Sequence, residues 1–219
     1  MSFIILLVAF FVGGVPFGYL AGKLLKGIDI REHGSRNVGA TNVFRVVGKG
    51  PGIIVYILDA VKGLAPVLLA KLLFAGSTVS DQWFHIAVAL AAILGHIFTP
   101  YLRFKGGKGV ATASGAMLAL APLPLLAALL VFAIVFAAWR YVSLGSLCAA
   151  LAFPIAVAVE KILAGRDPLV PMLALGWLLL ILVIVTHRTN IVRLLQGREP
   201  RMSFKSDARG ETSKEARNT

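Results

Sequence analysis

The sequence predicts an all-α polytopic membrane protein with seven transmembrane helices, its N-terminus outside and its C-terminus cytoplasmic. Three observations predict it. The 219 residues are 58% hydrophobic and only 15% charged, with a mean hydropathy of +0.85, which places long apolar stretches against lipid rather than water. Apolar runs recur at roughly 17–25 residues, enough for a helix to cross a hydrocarbon core of about 30 Å. The positive charge is gathered in particular loops, and its distribution sets the orientation.

The first run, 3–25, has no basic leader and no small-residue cleavage site, so it reads as a retained first span. Runs at 51–75, 81–98, 144–163 and 168–186 read as single spans. The stretch 109–139 is too long for one span at about 1.5 Å per residue, and Pro122 and Pro124 interrupt it. It reads as two short spans joined near 121–124. With seven spans, segments 26–50, 99–108, 139–143 and 187–219 share one face. Counting Lys23 at the boundary, that face carries 18 of the 22 Lys and Arg: six before Pro51, three in 99–108, Arg140, and eight after Thr186. Positive charge stays cytoplasmic. A six-span chain would strand the eight-charge tail on the opposite side. Residues 1–200 read as one membrane domain, and 201–219 as a polar, disordered basic tail attracted to the anionic inner leaflet. Cys148, the single cysteine, excludes an intramolecular disulfide and reads as packing.

Three polar segments fall on the basic face. The first, GSRNVGATNVFRVVGKG (34–50), sets Ser35, Asn37, Thr41 and Asn42 among glycines, with Arg36 and Arg45 as full charges. That mixture can cup an anion, and it also suits a plain interfacial loop. The second, YLRFKGGKGVAT (101–112), has Lys105 and Lys108 interleaved with Gly106, Gly107 and Gly109. Glycines let the backbone approach a ligand and turn its amides inward, lysines neutralise phosphate charge, and a helix beginning near Gly109 would add its dipole. It is not a Walker A loop, because Gly109 stands where Ser or Thr must follow Lys108 and no strand precedes it. The third, THRTNIVRLLQGRE (186–199), puts His187 and Asn190 one turn apart on a helix continuing from the last span. They are candidates for orienting or proton-handling chemistry. Asp59 and Lys62, within the second span, read as a structural ion pair. His96 reads as packing or support, His85 lies toward the far face, and the role of His33 stays open.

Some functions are excluded or disfavoured. Few carboxylates occupy the basic face, against a Mg²⁺-dependent lipid phosphotransferase, and no metal site or nucleic-acid partner is expected. The His-x-x-x-x-Asp pattern of acyl-CoA-type acyltransferases is absent, since Val38, Leu90, Tyr101 and Val192 stand five residues after the four histidines. A transporter of phosphorylated metabolites, with broken helices and Lys62 midway across the membrane, is the reading from another class. Basic loops gathered on one face favour an interfacial enzyme.

The segments GSRNVGATNVFR, DAVKG, GHIFTPYLRFKGGKGVAT and HRTNIVRLLQGRE, in this order across 34–199, closely resemble the PlsY family, the acyl-phosphate-dependent glycerol-3-phosphate acyltransferases of bacteria. The resemblance implies seven transmembrane helices in the bacterial inner membrane and an active site facing the cytoplasm. It implies transfer of a fatty acyl group from acyl phosphate to the 1-hydroxyl of glycerol 3-phosphate, giving lysophosphatidic acid and phosphate in phospholipid synthesis. No cofactor is implied; the partners are the two substrates, membrane lipid and the enzyme that makes acyl phosphate. The family's motif serine falls on Ser35, its arginine on Arg45, its loop lysines on Lys105 and Lys108, and its final His and Asn on His187 and Asn190. One departure is Arg36, where the commonest form of the motif has glycine, so a glycine-only backbone angle cannot be essential there and an extra cation could join the site. Acyl phosphate is already activated, so the residues need only hold two phosphates and dispose of one hydroxyl proton. Either His187 accepts that proton, or the substrate's own phosphate does while Ser35, Arg45, His187 and Asn190 position the reactants; the second is preferred.

Overall fold

The structure, a computed structural model, describes residues 2–74, 79–165 and 170–203, and every regular element among them is helical. The first span is broken: α1 (Ser2–Gly14) and α2 (Phe17–Lys26) flank Pro16, which has no amide to donate back along the helix. A short helix, α3 (Ala40–Val46), precedes α4 (Lys49–Leu73), and α5 (Val79–Ile97) follows. Next come α6 (Val110–Leu120) and α7 (Pro122–Trp139), separated at Ala121, within the interval where the two prolines predict the break. The bundle is completed by α8 (Val142–Leu163), α9 (Val170–Thr186) and α10 (Arg188–Leu195), the last bent 65° away from α9. The expected span limits at 75 and 168 fall outside the described residues, as does the tail from 204 onward.

Among the described residues, five helical segments, counting α1 and α2 together, are long and apolar enough to cross a membrane, or six with the bent pair α9 and α10. The 11-residue α6 reaches only about 16 Å at 1.5 Å per residue, roughly half a hydrocarbon core. The helices wear lipid-facing apolar side chains, such as Ile57, Leu72, Leu130 and Ile181.

Small residues let the helices touch. A side chain at Gly13 would strike the Ala92 backbone and one at Gly95 that of Phe10, so α1 and α5 cross in close contact; Gly63 and Gly115 do the same for α4 and α6. The main core, including Val67, Ile93, Met117, Phe153 and Leu175, runs from these helices into α8 and α9. A smaller cluster of Ile30, Val38, Val43, Val55 and Leu102 anchors the polar loops. These loops meet at one end of the bundle: Arg45 reaches Pro200, Lys108 reaches Asn190, and Met202 pairs with Arg140.

Candidate active site

The segment 34–46 folds around one amide. Asn42, almost fully buried, accepts from the Ser35 backbone N–H at 2.8 Å and donates to the carbonyls of Ile30, His33 and Asn37. Asn37 Oδ1 accepts from the Gly39 amide at 2.8 Å. Both asparagines line the cavity described below, yet these side-chain bonds serve to shape the loop. Arg36 adopts φ +58°, the left-handed region that costs a residue other than glycine about 1–2 kcal/mol. Arginine thus holds a left-handed angle that glycine would adopt at lower cost, so the angle here does not require glycine. Arg36 is exposed and does not line the cavity, so it adds no cation there.

The glycine loop resolves its lysines differently. Lys105 is exposed and does not line the cavity, whereas Lys108 does. The amides of Gly106 and Gly107 donate to the carbonyls of Ile97 and His96 at 3.0 and 3.1 Å, so they are turned toward α5. Gly109, at φ +82°, makes the turn that opens α6, and its neighbours Val110 and Ala111 line the same cavity. The cavity-facing part of the loop is thus Lys108 and the first turn of α6.

Opposite it stands α10. Lys108 Nζ donates to Asn190 Oδ1 at 2.6 Å, and Asn190 Nδ2 donates to Glu199 Oε1 at 2.6 Å. Glu199 also accepts from Ser143 Oγ at 2.8 Å and from Arg193 Nε at 2.7 Å. This buried carboxylate is the site residue that sequence reasoning missed; it closes the quoted motif but lies nine residues beyond Asn190. The turn at Gly197, φ +66°, brings it back under α10. Arg45 Nη2 donates to the Pro200 carbonyl at 3.2 Å, and Met202 is buried in the cavity wall. Arg201 lies against the Tyr141 ring, so the first residues of the expected tail are packed.

The electrostatics follow. Burial would raise the Glu199 carboxyl, but hydrogen bonds from Asn190, Arg193 and Ser143 outweigh it and hold it below its ordinary range. Burial, reinforced by Arg193 and Arg45 and opposed by Glu199, lowers Lys108 to about 8. Burial and then the Lys108 charge push His187 down to about 4. His187 Nδ1 lies 2.9 Å from the Val183 carbonyl, which can only accept, so Nδ1 carries the proton and Nε2 is a bare acceptor.

Lys108, Ser143, His187, Asn190 and Glu199 border one cavity of about 410 Å³. Ser35, Arg45, Lys108, His187 and Asn190 line its polar end, and Leu125, Leu129, Phe132, Phe153 and Leu179 its apolar depth. A polar, cationic mouth opening into a greasy pocket suits an amphiphile with an anionic head.

A family model described as glycerol-3-phosphate acyltransferase matches residues 3–197. The chain belongs to this acyltransferase family. A glycerol-3-phosphate acyltransferase of Syntrophotalea carbinolica is 48% identical over 200 residues, 91% of this chain and 96% of the relative. One from Geobacter sulfurreducens is 48% identical over 194 residues, covering 89% and 94%. Among solved structures, PlsY, an integral membrane glycerol 3-phosphate acyltransferase in its glycerol 3-phosphate form, superposes with a TM-score of 0.81. Its identity is 39%, over 92% of this chain and 96% of that one. Its lysophosphatidic acid form gives 0.79. This acyltransferase is accordingly an integral membrane enzyme of phospholipid synthesis.

Proposed function

We propose that the enzyme transfers a fatty acyl group from acyl phosphate to the 1-hydroxyl of glycerol 3-phosphate, giving lysophosphatidic acid and phosphate. The observation that carries this reading is a cavity that joins a cationic mouth to an apolar depth. Lys108 and the α6 N-terminus hold phosphate at the mouth, with Arg45 on the facing wall, and the pocket beyond takes the acyl chain. The substrate hydroxyl oxygen attacks the acyl carbon, the carbon–oxygen bond to phosphate breaks, and phosphate leaves with the electron pair. Because the donor is a mixed anhydride, no covalent enzyme intermediate is required. A labile donor also calls for an enzyme nearby that makes it.

Proton removal is the step that the histidine geometry informs. An imidazole held near 4 is a weak base, whereas a phosphate monoester has a second pKa of about 6. The substrate's own phosphate is the better acceptor, and neutral His187 accepts a hydrogen bond at Nε2 that aligns the hydroxyl, with Ser35 and Asn190 beside it.

The chain crosses the bacterial inner membrane seven times, with the site cytoplasmic and α6 as a short fourth span. Support comes from the polar segments around 26–50, 99–108, 139–143 and 187–203: they meet at one end, as an odd number of spans requires, and carry most of the basic residues. The direct test is phosphate release from acyl phosphate by the purified protein with and without glycerol 3-phosphate. Release that requires glycerol 3-phosphate and yields lysophosphatidic acid is expected; release independent of it, or transfer only from another acyl donor, would overturn the assignment.

A further inference from the structure

The glycine loop is held from behind, by a chain of contacts that begins at the break in the first span. The break denies the carbonyls of Gly14 and Val15 their i+4 helical donors, and Val15 keeps only a tight-turn bond from the Phe17 amide at 3.1 Å. Thr99 Oγ1, just past α5, donates to Gly14 at 2.6 Å, and Lys62 Nζ on α4 donates to Val15 at 2.7 Å. Lys62 Nζ is also 2.7 Å from Asp59 Oδ1, and the same oxygen lies 3.6 Å from His96 Nδ1. That last separation exceeds a direct hydrogen bond. A small cavity of about 10 Å³, bordered by Asp59, Lys62, His96 and Thr99, adjoins it and suits one bridging water.

The other edge of the imidazole faces the loop. A Cβ placed on Gly107 would collide with His96 Nε2, and one on Gly106 with the His96 carbonyl. The backbone of His96 and Ile97 also takes the two glycine amides. Asp59, Lys62 and His96 are each buried; Asp59 and His96 also reach the wall of the large cavity, but none is joined to Lys108, His187 or Asn190 by a side-chain hydrogen bond. Burial alone explains why Asp59 and Lys62 pair. It does not explain why the carboxylate also faces an imidazole whose far edge fills the space that Gly107 leaves.

We propose that Lys62, Asp59 and His96 form a positioning strut that carries the geometry of the Pro16 break to the glycine loop. Gly107 is glycine in order to admit His96, and the strut fixes the direction in which Lys108 and the first turn of α6 face the substrate. This rests on the phosphate-holding role given to Lys108 above.

The test is steady-state kinetics of the full-length protein with glycerol 3-phosphate and acyl phosphate. Gly107→Ala and Asp59→Asn are each expected to raise KM for at least one phosphate-bearing substrate about tenfold or more, with kcat changed far less, because misplacement by ångströms weakens an oriented contact. His96→Asn keeps an amide near the Nδ1 position and removes Nε2. In the Gly107→Ala background it is expected to recover most of the lost affinity, since residues in contact couple rather than add. Additive losses in that double variant would overturn the strut, as would losses confined to kcat at unchanged KM, which report a smaller folded fraction. Lys108→Ala separates the two layers. If it leaves KM unchanged, the phosphate-holding reading itself fails; if it raises KM while the Gly107 and His96 changes add, only the strut fails.

Discussion

The glycine loop and the C-terminal turn face each other across the cavity, and both are basic, yet they are organised by opposite means. In the loop, the glycine amides are bound to backbone carbonyls of α5 and the lysines separate, one into solvent and one into the site. In the turn, a buried carboxylate, Glu199, gathers Ser143, Asn190 and Arg193, and through Asn190 it reaches Lys108. The loop is therefore shaped by main chain and steric fit, and the turn by a charge-assisted network. An anion entering between them meets cations already oriented, with one negative group behind Asn190 to limit their mutual repulsion.

The largest effect that this comparison predicts is at Lys108. Lys108→Ala should lower kcat/KM about 100-fold or more, as removal of one preorganised donor to developing charge does. Because the free lysine titrates near 8, it is charged below that pH and kcat/KM should fall as pH rises through it. Lys108→Arg, charged throughout, should lose that basic limb even if its rate is lower. A limb unchanged in the arginine variant would detach Lys108 from the profile.

Glu199→Gln comes next. Replacing the carboxylate leaves Arg193, Arg45 and Lys108 without their counter-charge, and a loss of about tenfold in kcat/KM is expected, the equivalent of one charge-assisted hydrogen bond. The native carboxyl is held below the ordinary glutamate value of 4.5, so its contribution to stability is present above that pH and disappears as pH falls through the depressed value. Melting temperatures of the glutamine variant should accordingly depend less on pH below 4.5. Equal acid sensitivity in both proteins would remove Glu199 from the centre of the turn.

His187→Gln sharpens the roles on the same side of the cavity. With the imidazole neutral down to about 4, an acidic limb in kcat/KM near pH 6 belongs to substrate phosphate, whose second pKa is about 6. The variant should keep that limb and retain measurable turnover. Abolished turnover at every pH with substrate affinity intact would make His187 the base. The smallest effect is at Lys105: Lys105→Ala should alter kcat/KM by less than about threefold, the scale of an exposed charge. A loss as large as that at Lys108 would mean that the two loop lysines act together.

How much of this was legible beforehand differs by residue. The break near Ala121 follows from Pro122 and Pro124, and the buried pairing of Asp59 with Lys62 from their spacing, because both rest on local helix geometry and on the cost of a lone charge in lipid. His187 and Asn190 as neighbours follow from the same rule, although the bend after α9 places His187 at a corner rather than within a continuing helix. Glu199 was invisible, since its partners come from α8 and α10 and its role depends on a turn at Gly197. The split between Lys105 and Lys108 was equally hidden: three residues apart in a loop have no fixed angular relation until the loop docks.

The sequence by itself determined that the chain is a helical membrane protein, that its cations gather in a few loops, and which family chemistry those loops resemble. These are sums over many residues or properties of local spacing, so they survive ignorance of the fold. Only the tertiary structure decided which lysine enters the cavity, that the asparagine at 42 shapes its loop, that Gly107 gives way to His96, and that Glu199 braces the site. Those outcomes depend on close approaches between segments distant along the chain, and burial and hydrogen-bond direction are set only when those segments meet.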